Sequence, residues 1–129
     1  MKAMHDVKGL PVICAREGIE CGSVRELFIN CCEGKVQYLI IEDDEWYLGA
    51  KLLPFDKVLG IGRHAVITES HENIFSFSQV EGAHDLIKQG TSLIGAKVYT
   101  QKGEYMGNVE EYYFDEKDGR VIKCQLCVE

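Results

Sequence analysis

The stretch Gly18-Ile19-Glu20-Cys21-Gly22-Ser23-Val24, with Gly34-Lys35-Val36 after it, decides the fold because it occurs a second time. Its counterpart is Gly103-Glu104-Tyr105-Met106-Gly107-Asn108-Val109, with Gly119-Arg120-Val121 after it. Upstream of each block a Gly leads a Val by three positions, as Gly9 to Val12 and as Gly95 to Val98. One residue fewer separates Val98 from Gly103 than Val12 from Gly18, and every later landmark is in register. Landmarks matched at fixed spacing mark an internal repeat, and apolar alternation between turn glycines marks its units as β-strands.

Each copy reads as three antiparallel strands. Residues 10–16 form the first strand, and the turns Arg16-Glu17-Gly18 and Lys102-Gly103 supply glycines that tolerate positive φ. The second strand covers 22–29 and 107–114, carried by Val24 and Leu27-Phe28-Ile29 in one copy and by Val109, Tyr112 and Phe114 in the other. Asn30 to Gly34 and Asp115 to Gly119 each end in the Gly expected of a hairpin loop. From Lys35 to Glu42, Val36, Tyr38 and Ile40 fall on one face and Leu39 and Ile41 on the other, so this strand is expected to be central. Trp46 to Leu53 continues as a strand closed by Pro54, Gly60-Ile61-Gly62 reverses the chain, and Ala65 to Thr68 is a further short strand. Between Gln79 and Gln89 the apolar set Val80, Ala83, Leu86 and Ile87 has helical spacing and predicts a short amphipathic helix ending at Gly90. The expected fold is mainly β: a small barrel of five or six strands over 1–78, a helical connector over 79–92, and a second, partial barrel copy over 93–129.

These residues carry a family resemblance. Gly9-x-x-Val12, Gly18-x-x-x-Gly22-x-Val24, Gly34-Lys35-Val36 and the stretch from Trp46 to Val58, with Leu53-Pro54-Phe55 inside it, resemble a PRC-barrel domain. The likeness covers roughly residues 8–70 as a full copy and 93–129 as a partial one. That family includes the cytoplasmic domain of the photosynthetic reaction-centre H subunit and the C-terminal domain of a bacterial ribosome maturation factor. The resemblance implies a small β-barrel used for interaction or assembly. It brings no catalytic residues, and the reaction-centre role is not expected, because no apolar run in these residues reads as the membrane anchor that accompanies it.

Charge and cysteine content narrow the function classes. The chain has 129 residues, with 14 Lys and Arg against 21 Asp and Glu and a net charge of -7. Phosphate backbones reward positive charge, so nucleic acid is not an expected partner. Apolar runs such as Leu39-Ile40-Ile41 fall far short of the roughly 20 residues that cross a bilayer, so no membrane span is expected. The polar start Met1-Lys2-Ala3-Met4-His5-Asp6 has no signal-peptide core. A cytoplasmic location follows as an expectation, and with it six reduced cysteines.

No residue constellation announces catalysis or a cofactor, and the chain is expected not to be an enzyme. The thiols that would supply a metal site are Cys31, Cys32, Cys124 and Cys127. Cys124-Gln125-Leu126-Cys127 has zinc-ribbon spacing, but on a strand residues i and i+3 face opposite ways, so no site is assigned. By the repeat Cys124 matches Leu39, which predicts a core position. His5, His64, His71 and His84 show no ligand spacing, and Ser70 and Ser76 read as loop residues. Tyr105, Tyr112, Tyr113 and Phe114 cluster in the partial copy and are the interface candidates. Three strands cannot close a barrel. Either a homodimer completes the sheet, or residues 93–129 pack on the first barrel, or a longer chain was cut short. The leading functional reading is a non-catalytic PRC-barrel adaptor for a protein partner, a second copy of the chain included. The alternatives are a ribosome-maturation or RNA-processing accessory factor and a cysteine-based metal or redox module.

Overall fold

A computed structural model describes residues 1–30, 32–44, 51–79 and 93–128. In chain order its elements are β1 (Lys2–Ala3), a single helical turn α1 (Met4–Val7), β2 (Pro11–Cys14), β3 (Ile19–Asn30) and β4 (Lys35–Glu42). There follow β5 (Lys51–Pro54), β6 (Val58–Ile61), β7 (Val66–Thr68) and β8 (Phe75–Ser76). The second copy supplies β9 (Lys97–Tyr99), β10 (Tyr105–Phe114) and β11 (Val121–Cys127). The protein is mainly β, as its sequence predicts. Among the described residues no helix is long and apolar enough to cross a membrane. The predicted helical connector lies outside the described residues from position 80 onward. So do Cys31, His84 and the Trp46 end of the predicted fourth strand, of which Lys51–Pro54 is seen.

Among the described strands, one sheet runs β6-β7-β2-β3-β4-β5-β8. The other runs β1-β10-β11, with β9 also paired to β10. β2 joins β7 in parallel, and the remaining pairings are antiparallel. The repeat is reproduced at the level of single hydrogen bonds. Gly9 N donates to Val24 O and Val24 N to Leu10 O at 2.7 and 2.9 Å. Gly95 N donates to Val109 O and Val109 N to Ala96 O at 2.8 and 2.9 Å.

Three β-bulges are duplicated as well. The extra residue is Cys21 in one copy and Met106 in the other, then Arg25 and Glu110, then Gln37 and Ile122. A bulge inserts one residue and so reverses which face the following side chains occupy. This corrects the expected faces of β4. The bulge at Gln37 puts Val36 on the buried side with Leu39 and Ile41, while Tyr38 and Ile40 are half-buried. Its central position is as predicted: β3 and β5 flank it.

The two copies meet through the starts of their third strands. Val36 N donates to Gly119 O at 2.8 Å, and Val121 N donates to Gly34 O at 2.9 Å. Between these bonds lies an antiparallel bridge, Lys35 to Arg120, whose partners are equivalent positions of the repeat. The reciprocal bonds are those of an approximate two-fold axis inside one chain. Apolar burial follows the same joint: one core cluster contains Val24, Leu39 and Leu53 of the first copy with Tyr112 and Phe114 of the second. The Phe55 and Phe114 rings meet edge to face at 6.0 Å. β1 pairs with β10, and α1 buries Met4 and Val7 in the shared core. Residues 2–7 thus serve the second copy although they precede the first. Of the arrangements left open by the sequence, the structure shows intrachain packing of 93–128 on the first barrel.

Candidate interaction surface

β4 and β11 are equivalent strands in unequal surroundings. β4 pairs with β3 on one edge and with β5 on the other, from Tyr38 opposite Pro54 to Ile41 opposite Lys51. β11 pairs with β10, and beyond Val121 its other edge has no partner strand among the described residues. The burial patterns differ accordingly. Val36, Leu39 and Ile41 are buried in β4, whereas Ile122 to Gln125 are all exposed in β11. Ile122 is 52% exposed and Val128 71%. Near the far end of the strand, Tyr99, Tyr105 and Met106 are also exposed, the two Tyr rings 5.8 Å apart. An unpaired edge with apolar groups on it is a template for another strand unless charges or bulges protect it. β11 carries Lys123 and the bulge at Ile122, and no other protection of that kind.

The four aromatic candidates divide. Tyr112 and Phe114 are 1% and 0% exposed and belong to the core, so they are not surface groups. The bulge at Glu110 sends them to the face occupied by Val109. Burial, and next the carboxylates of Glu26 and Glu111, push the Tyr112 phenol above its ordinary range. Tyr113 is half-buried, with the Lys123 ammonium 4.5 Å from its ring centre. Tyr105 is exposed, and its hydroxyl donates to Asn108 Oδ1.

The cysteines correct two expectations. Cys14 and Cys21 form a disulfide with their Cα atoms 6.5 Å apart, so the chain does not carry six reduced thiols. Cys14 ends β2 opposite Ile19, and Cys21 is the extra residue of the first bulge, which brings the two across the hairpin. Cys124 is exposed, not a core residue. Its equivalent Leu39 is covered because β4 lies between two strands, and among the described residues β11 has one strand beside it. Partial desolvation still raises the Cys124 thiol pKa. Cys127 and Cys32 are exposed free thiols. Cys124 stands opposite Tyr112 and Cys127 opposite Asn108, in an uninterrupted run of β11 that sends them to opposite faces. Among the described residues no group of three or more His, Cys, Asp or Glu side chains is placed to hold a metal.

Ser70, His71 and Glu17 do meet, in a grouping the sequence did not suggest. Ser70 Oγ donates to Glu17 Oε1 at 2.7 Å, and the His71 backbone N donates to the same oxygen at 3.2 Å. His71 Nδ1 also contacts that oxygen. In a Ser-His-acid nucleophile the imidazole must bond the hydroxyl to take its proton. Here hydroxyl and imidazole both address the carboxylate, and Ser70 is 4% exposed. Ser70 Oγ also accepts from Glu72 N at 3.2 Å, capping the turn His71–Asn73. The grouping is a structural clasp between the first hairpin and the β7–β8 connection. A groove of about 340 Å³ lies at the joint of the two copies, where Lys35 and Lys117 alternate with Glu33, Asp56 and Asp118. Among the described residues its lining holds no His, Cys or Ser.

The family model of the PRC-barrel domain matches residues 1–74 and again 87–125. The second match includes most of β11 and the whole of β9 and β10. A search of curated proteins found no match.

Proposed function

The chain belongs to the PRC-barrel domain family, and from that premise we propose that it is a non-catalytic interaction and assembly adaptor that binds a protein partner through the surface around β11. The observation that carries this reading is the contrast between equivalent strands: β4 is paired on both edges and buries Val36, Leu39 and Ile41, while β11 has, among the described residues, an edge without a partner strand and exposed apolar side chains. A strand edge supplies main-chain hydrogen bonds for affinity, and alternate side chains supply specificity. The clasp of Ser70, His71 and Glu17 and the mixed charges of the joint groove support the non-catalytic part, because neither offers an activated nucleophile among the described residues.

The test is affinity capture from the native host with the wild-type chain and with an Ile122→Lys, Val128→Lys double variant. Both positions are exposed, so folding stability should change by no more than about 0.5 kcal/mol each. Loss of the captured proteins with an unchanged melting curve is the expected result. An identical captured set from both chains would refute the adaptor reading of β11.

A further inference from the structure

We propose that the partner strand is β11 of a second copy of this chain, paired antiparallel about a two-fold axis normal to the sheet. This deepens the adaptor reading and rests on the same strand. Three observations lead to a second copy in preference to an unrelated strand. First, the same edge of β11 already accepts the equivalent strand of the other repeat at its start, through the Lys35 to Arg120 bridge and the Val121 N to Gly34 O bond. The open part of the edge, from Ile122 onward, is continuous with that contact. Second, the repeat shows what this edge takes when it is filled: β5 lies antiparallel on β4. Third, β11 can face itself without a charge conflict, because Lys123 is its one charged residue.

Symmetry limits the register. A two-fold axis normal to the sheet keeps each face on its own side, so the axis must pass beside a residue that faces its own mate. Centring on Lys123 would set two ammonium groups opposite each other, which destabilises a cross-strand pair. Centring nearer the N-terminus would need the Val121 amide, already given to Gly34. Two registers remain that overlap most of the open edge. Centred on Cys124, Lys123 faces Gln125 and Ile122 faces Leu126. Centred on Gln125, Lys123 faces Cys127 and Ile122 faces Val128. In either, each Cys124 lies opposite or diagonal to its mate, within roughly 8 Å, whereas the two Cys127 residues are staggered by four or six positions, roughly 13–20 Å.

The test needs no change to the core. Light scattering on the wild-type chain at about 100 μM, a concentration suited to a small interface, is expected to give the dimer mass. Gln125→Lys sets like charges opposite each other in both registers, and in the monomer its new ammonium sits beside Glu110. It is expected to weaken the dimer several-fold, up to about tenfold, with an unchanged melting curve for the monomer. Gln125→Glu separates the registers: it tightens the dimer if Lys123 is the facing residue and weakens it if Gln125 faces itself. A short bis-maleimide should link chains that retain Cys124 after Cys31, Cys32 and Cys127 are changed to Ser. It should link at least tenfold fewer that retain Cys127 after Cys31, Cys32 and Cys124 are so changed. A monomer mass at about 100 μM, or equal linking through the two cysteines, would overturn the proposal. If the monomer still loses its captured proteins in the Ile122→Lys, Val128→Lys variant, the self-pairing fails and the adaptor reading stands.

Discussion

Glu17 shows how one side chain ties distant segments together. The Ser70 hydroxyl, then the bonds from His71, hold its carboxyl down at about 2 against partial desolvation, from an ordinary value of 4.5. Because the folded value is the lower one, the contribution to stability is present in full above about pH 4.5 and is lost as pH falls toward 2. Ser70→Ala removes the largest cause, so NMR titration of the Glu17 carboxyl should show its pKa moving up toward the ordinary range. A titration left unchanged would contradict the clasp. The Cys14–Cys21 disulfide is a second residue-scale device, closing a short loop with a sequence separation of 7. Trypsin cleaves after Lys8, Arg16 and Arg25, so unreduced protein should yield Gly9–Arg16 joined to Glu17–Arg25. Reduction should cost roughly 2–3 kcal/mol of stability, from the loop-closure entropy restored to the unfolded chain. Recovery of the two peptides as free thiols from protein purified without reductant would contradict the bond. This pairing is not legible in the sequence, where only the redox compartment bears on the state of the thiols. The distance depends on a bulge that places Cys21 across the hairpin from Cys14.

At the scale of elements, the glycine spacing made the hairpins legible, and the third strand of the first copy spans Lys35–Glu42 as read. The bulges were harder to see, because one extra residue leaves the turn spacing unchanged and alters only the faces. Their trace is the spacing Val24, Leu27, Ile29 and again Val109, Tyr112, Phe114, a step of three and then of two. Read as a bulge, that step would have moved Tyr112 and Phe114 from the surface to the core. The two hairpin exits also differ in a way their matched sequences hide. Gly34 and Gly119 both have positive φ, 66° and 79°. A Cβ at Gly34 meets nothing within 4 Å, while at Gly119 it would lie 2.9 Å from Val36 O and 3.0 Å from the Phe55 ring. Gly34→Ala should therefore cost about 1–2 kcal/mol for the left-handed backbone alone. Gly119→Ala should cost a further 1–3 kcal/mol or so for overpacking at the joint. Denaturant midpoints of the two variants check this, and equal costs would mean that the repeats do not meet there.

On the scale of the whole molecule, the repeat forms one folding unit with a joint core and one incomplete end. Phe114→Ala empties a buried site shared with Phe55 and should cost about 3–5 kcal/mol. Because the core is shared, hydrogen exchange of the peptide spanning Lys35 to Glu42 in the first copy and of that spanning Tyr105 to Phe114 in the second should shift together to lower denaturant in a single transition. A first-copy transition that stays in place while the second-copy one moves would show two independent units. The incompleteness of the second copy was legible as a count of strands, whereas its consequence for Cys124 was not. The repeat alignment transfers the position of Leu39 but not the strand that covers it. Hydrogen exchange on β11 at two protein concentrations tests the central claim, that this strand is the open interaction edge. At about 1 μM, below the affinity of a small self-interface, the peptide spanning Ile122 to Cys127 should exchange much faster than that spanning Lys35 to Glu42. At about 100 μM it should become protected, with the first-copy strand unchanged. Protection of β11 that is already complete at the lower concentration, or missing at the higher, would contradict the account.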